Sequence, residues 1–101
     1  MIANIKANLL ARNEVLPGDE LWAAIVIWQV PVSVRGSGHL YKYRIALIDQ
    51  DECVLRYDNE AGKGDHKHPG EEESPYVFTT LEKLVDDFWD DVAAYADGGR
   101  R

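Results

Sequence analysis

The segment Leu21-Trp22-Ala23-Ala24-Ile25-Val26-Ile27-Trp28-Gln29-Val30 most limits how this chain can fold. It is unbroken apolar sequence from Leu21 to Trp28, at both odd and even positions, and rich in β-branched and aromatic residues. Such a run reads as a strand in the middle of a sheet, covered on both faces. It is too short to cross a bilayer, which takes roughly 20 apolar residues. A chain of 101 residues builds a single domain with a modest core, so one domain spanning 1–101 is expected. One layer of cover is then available for one face. The second apolar face calls for a homodimer or another protein.

The flanking sequence supplies the rest of a sheet, placed at about 5–58. Ile5, Ala7, Leu9, Ala11 and Val15 are apolar, with Lys6, Asn8, Arg12 and Glu14 between them, the period-2 alternation of a half-buried strand. Pro17-Gly18-Asp19 is turn chemistry. A loop with Arg35-Gly36-Ser37-Gly38 begins at Pro31. A hairpin then pairs Tyr41–Ile48 with Cys53–Asp58 across Asp49-Gln50-Asp51. Pairing Ile45 with Leu55 and Tyr43 with Tyr57 puts Cys53, Leu55 and Tyr57 on the apolar side, and Lys42, Arg44, Arg56 and Asp58 together on the other.

Residues 59–75 form a glycine-rich, charged loop bearing His66 and His68, and Tyr76-Val77-Phe78 suits a short strand. Thr79 with Glu82 spells a capping box for a helix over about 80–96. Leu81, Leu84, Val85, Phe88, Trp89 and Val92 recur at helical spacing, and Gly98 and Gly99 end it. The expected fold is α+β: an antiparallel sheet of about four strands with one C-terminal helix on a face.

Cys53 is the only cysteine, which excludes an intramolecular disulfide; a small buried hydrophobe is its expected role. Met1 to Asn8 lacks a signal-peptide pattern, so a cytoplasmic location is expected. The net charge of −7 argues against broad nucleic-acid binding. It is unevenly spread, however. Residues 32–70 are neutral, with Arg35, Lys42 and Arg44 unopposed between Val32 and Ile48, whereas residues 71–97 carry −8.

The motifs Tyr41-Lys42-Tyr43-Arg44, Arg56-Tyr57-Asp58-Asn59, Gly64-Asp65-His66-Lys67-His68 and Pro75-Tyr76-Val77-Phe78 occur in that order. Over roughly His39 to Val92 the chain resembles the TumE family of toxin–antitoxin toxins. The resemblance implies a growth-inhibiting toxin with a cognate antitoxin, commonly a DNA-binding regulator. It brings no catalytic mechanism with it.

On their own chemistry, the residues fit cleavage of RNA without a metal. That reaction needs a base for the 2′-hydroxyl, an acid for the leaving oxygen and cations on the phosphate. His66 and His68, two apart on an extended segment, point the same way and suit both proton roles. Arg56 and Lys63, which lies between Gly62 and Gly64, suit the phosphate. Lys42, Arg44, Asp58 and Asn59 would line the substrate site, and Tyr57 or Tyr76 would stack a base. No cofactor is expected on this reading. A solvated loop and a solvated basic sheet face account for the same residues without function. A third alternative makes His66 and His68, with Asp58 or Asp65, ligands for Zn²⁺ or Fe²⁺. A fourth makes the chain a non-catalytic module working through its DNA-binding partner. Asp86, Asp87, Asp90 and Asp91 form two like-charged i,i+4 pairs on the helix, either a solvated face or a docking strip for a basic antitoxin segment. No membrane partner is expected.

Overall fold

A computed structural model describes residues 7–18 and 21–98. Six strands lie in sequence order in one antiparallel meander: β1 (Asn8–Gly18), β2 (Leu21–Gln29), β3 (Tyr41–Asp49), β4 (Glu52–Asp58), β5 (His66–Pro69) and β6 (Ser74–Pro75). The helix α1 (Leu81–Asp97) follows. The class is therefore the expected α+β, with six strands rather than four. The added strands are β5 and β6, inside the segment read as a loop. They pair through the backbone with β4 and with each other. Their residues, His-Lys-His-Pro and Ser-Pro, carry no apolar alternation by which a strand is recognised.

The expected start of the first strand at Ile5 lies outside the described residues, as do Asp19 of the expected turn and Gly99. β1 runs on through Pro17 and Gly18, and Gly18 still pairs with Leu21. Proline is tolerated there because β1 is an edge strand.

β2 sits between β1 and β3, but its two faces differ. Leu21, Ala23, Ile25 and Ile27 are buried; Trp22, Ala24, Val26 and Trp28 are half-buried. The expectation of full cover on both faces holds for the odd positions alone. These join Tyr43, Ile45, Leu47, Leu55 and Tyr57 in the core beneath Leu84, Phe88 and Val92 of α1. Spacings of four put those three helix residues on one stripe.

The β3–β4 register is two residues from the expected one: Ile45 faces Tyr57 and Leu47 faces Leu55. Gln50 and Asp51 both have positive φ (51° and 67°) and form a two-residue turn that sets Asp49 opposite Glu52. A bulge at Val54 then shifts the frame. A slip of two preserves facing, so Leu55 and Tyr57 remain in the core and Arg44, Arg56 and Asp58 remain on the other face. Cys53 lies beyond the bulge, opposite Ile48, and is exposed rather than buried.

Two further expectations are corrected at the helix entry. Tyr76–Phe78 is not a strand, although the Tyr76 amide donates to the Asp65 carbonyl at 3.0 Å. The N-cap is Thr80, one residue later than Thr79, and its Oγ1 accepts from the Lys83 amide at 3.0 Å. Leu81 as first helical residue puts Leu84, Phe88 and Val92 on the sheet. No helix among the described residues is long and apolar enough to cross a membrane.

Candidate functional site

Cross-strand register assembles the site. Opposed residues in an antiparallel sheet share a face. Trp28 opposes Lys42, Val26 opposes Arg44, Arg44 opposes Asp58, Ala46 opposes Arg56, Arg56 opposes His68 and Asp58 opposes His66. All lie on the face away from α1. Lys67, between the histidines, points to the other side, where its Nζ is 3.2 Å from Asp91 Oδ2 and 5.5 Å from the Tyr57 ring centre.

At the centre of the open face, polar atoms crowd together. His66 Nε2 lies 2.6 Å from Asp58 Oδ1 and 3.2 Å from Glu73 Oε2. His68 Nε2 lies 3.1 Å from the same Glu73 oxygen, and Arg56 Nε 2.9 Å from Asp58 Oδ2. His66 is buried, and its Nδ1 donates to the Gly64 carbonyl at 3.0 Å. Burial and the neighbouring Arg56 guanidinium hold the His68 imidazolium below its ordinary range. Despite the short contacts, Asp58 Oδ1, His68 Nε2 and Arg56 Nε have no aligned hydrogen bond, although each atom is buried.

Asn59 and Asp65 hold the site in place from behind. The fully buried Asn59 extends the β3 ladder with its side chain: Oδ1 accepts from the Tyr43 amide at 2.9 Å, and Nδ2 donates to the Tyr41 carbonyl at 2.7 Å. Asp65 accepts from Ser37 Oγ at 2.7 Å, Tyr43 OH at 2.6 Å and His39 Nε2 at 2.7 Å. His39 Nδ1 in turn accepts from the Tyr41 amide, and its ring stacks on Phe78 at 3.7 Å. The loop after β2 is thereby fastened to the loop before β5. At the crossing, Gly36 (φ +97°) and Gly64 (φ +76°) touch: a Cβ on Gly36 would stand 2.8 Å from the Gly64 nitrogen. Only glycine fits either position.

The expected site residues thus fall into three groups. Lys42, Arg44, Arg56, Asp58, His66 and His68 are brought together on the open face. A cleft of about 330 Å³ there is lined by Lys42, Arg44, Arg56, Asp58 and Glu60. The exposed Lys63 pairs with Glu60 at 3.4 Å and shares a neighbouring cleft of about 330 Å³ with His66 and Glu73. Asn59 also borders the first cleft, although its side-chain amide is spent on the β3 backbone. Tyr57 and Tyr76 lie on the helix side instead. Their rings meet edge to face, Tyr57 OH donates to Asp91 and Tyr76 OH donates to Asp87 at 2.6 Å. Of the four helix aspartates, Asp87 and Asp91 are committed to these tyrosines and to Lys83 and Lys67; Asp86 and Asp90 are exposed.

Glu73 and His39 are the residues that sequence reasoning did not place, and Asp65, weighed there only as an alternative metal ligand, instead holds Ser37, His39 and Tyr43. Glu73 sat in a run of three glutamates with nothing to distinguish it. The Gly-Asp-His context could have marked Asp65, since alternation sends it to the opposite side from His66.

The protein is thus a small meander sheet with one helix, with a cationic face away from that helix and a histidine cluster on β5. The family model described as Toxin TumE matches residues 5–96. The chain belongs to that toxin family, and membership implies a cognate antitoxin. No curated protein and no solved structure matches the chain.

Proposed function

We propose that this toxin acts on RNA in the cytoplasm as a ribonuclease, with the open face of β3–β5 as its active surface. The observation that carries the reading is the register that sets Lys42, Arg44 and Arg56 beside His66 and His68. Cleavage of RNA joins the 2′-oxygen to the adjacent phosphorus and releases the 5′-oxygen with a proton. Cations that meet the phosphate as its charge grows lower the barrier to that step. Lys42 and Arg44 are exposed and line the cleft, so they are suited to hold the backbone.

Arg44→Ala combined with Lys42→Ala is expected to abolish growth inhibition and to slow RNA cleavage by roughly 10²-fold or more, as for other lost electrostatic contacts. His68→Ala is expected to stop cleavage. Circular dichroism of each variant should match the parent. Full toxicity from either variant would refute the reading.

For the antitoxin, we propose a DNA-binding regulator with a basic segment that lies along Asp86 and Asp90. The half-exposed Trp22, Val26 and Trp28 supply an apolar surface for the same partner or for a second copy of the chain.

A further inference from the structure

We infer that Asp58, His66 and His68, with Glu73 completing the set, bind one divalent first-row transition-metal ion. Asp58, His66 and His68 each offer a ligand atom, and these atoms lie within 4.8 Å of one another. Ligand atoms of a tetrahedral zinc site, with bonds of about 2.0–2.1 Å, stand roughly 3.3 Å apart. Small side-chain adjustments close that gap. Glu73 Oε2 is already 3.2 Å from one imidazole nitrogen and 3.1 Å from the other.

The second observation is chemical. The Nδ1–H of His66 is directed to the Gly64 carbonyl, the outer contact that fixes the tautomer of a ligating histidine. In the neutral ring that metal ligation requires, the Nε2 lone pair faces Asp58 Oδ1 at 2.6 Å and Glu73 Oε2 at 3.2 Å, the positions from which all three atoms would meet one cation. The buried Asp58 Oδ1 and His68 Nε2 have no aligned hydrogen-bond donor, an arrangement that is costly unless a cation lies between them. Arg56 reaches the other Asp58 oxygen, at 2.9 Å, and leaves Oδ1 to the cluster.

Two imidazoles with carboxylates suit Zn²⁺ or Mn²⁺ rather than the all-oxygen preference of Ca²⁺ or Mg²⁺. Asp65, the other carboxylate near the histidines in sequence, is excluded as a ligand because it is held by Ser37, His39 and Tyr43. Asp58, His66 and His68 as three protein ligands leave a fourth tetrahedral position, which Glu73 fills in the resting site and yields to water or a phosphate oxygen. The site therefore deepens the ribonuclease reading: that reading supplies the ion's role, while the ion's presence stands on the geometry alone.

The full chain, stripped with chelator and dialysed, should bind one Zn²⁺ or Mn²⁺ per molecule by calorimetry and by elemental analysis after equilibrium dialysis. Asp58→Asn and His68→Gln should each weaken binding by at least about tenfold, the scale on which even outer partners of a metal matter. Because a variant can fail to fold, Co²⁺ substitution of the parent chain provides a second readout: visible d–d absorption characteristic of imidazole ligation, displaced by Zn²⁺. Absence of stoichiometric binding, binding undiminished in both folded variants, or a Co²⁺ spectrum of the hexaaqua ion would each overturn the inference. A chain that binds the ion and never cuts RNA would uphold the site and refute the ribonuclease reading.

Discussion

At the scale of single residues, adjacent positions in the motifs divide the labour. Asp58 and His66 face the open side, whereas Asn59 and Asp65 hold the chain behind them. Asn59→Ala removes the acceptor for the Tyr43 amide and the donor to the Tyr41 carbonyl, both buried at the end of β3. Stranding those groups is expected to cost on the order of 3 kcal/mol. Glu60→Ala, at the exposed neighbour, should stay within about 0.5 kcal/mol; urea unfolding of the two variants gives the comparison. The tyrosines supply a pH dependence. Burial and carboxylate partners push the phenols of Tyr43 (Asp65), Tyr57 (Asp91) and Tyr76 (Asp87) up from their ordinary range. Above pH ~10 an unfolded tyrosine has lost its proton while the folded one keeps it. Stability from these groups is thus fully present below about pH 10 and falls as the pH rises beyond it. Ultraviolet tyrosinate absorbance from the three should appear only together with loss of circular dichroism. A rise that precedes unfolding and accounts for all five tyrosines would contradict this.

At the scale of elements, the sequence carried facing more reliably than register. A slip of two leaves every side chain on its face, so the hydrophobic pattern alone could not distinguish Ile45–Leu55 from Ile45–Tyr57 pairing. The two-residue turn at Gln50 and Asp51, with positive φ although neither is glycine, and the bulge at Val54 decide it together. The cationic face was therefore legible, while the exposure of Cys53 was not. β5 was hidden for a related reason: its residues serve the site on one side and Asp91 on the other, leaving little apolar signal. The helix stripe was legible from Leu84, Phe88 and Val92, but two adjacent threonines blurred its start. Thr80→Ala is expected to destabilise the fold by about 1 kcal/mol through loss of the bond from the Lys83 amide. Thr79→Ala should have little effect, since Thr79 is exposed and outside the cap. Thermal denaturation of the pair distinguishes the caps; equal losses would show that the cap is shared.

At the scale of the whole molecule, charge is sorted by face. Lys42, Arg44 and Arg56 lie on the open side of the sheet, and the helix on the opposite side carries Asp86, Asp87, Asp90 and Asp91. A net charge of −7 therefore describes neither surface. It leaves room for an anionic substrate on one side and a basic antitoxin segment on the other. Asp86 and Asp90 are the informative pair, because they are exposed and stand one helical turn apart. Alone in the free toxin, they repel, and replacing both with Asn is expected to stabilise the isolated chain by about 0.2–0.5 kcal/mol. In the complex, the same replacement removes the attraction and should weaken antitoxin binding about tenfold at low salt, with the deficit shrinking as screening rises near 0.15 M. A solvated face predicts the first effect without the second. Calorimetric titration of the antitoxin against parent and double variant at two salt concentrations, beside their melting curves, separates these outcomes; affinity unchanged by both salt and substitution would remove the helix from the interface.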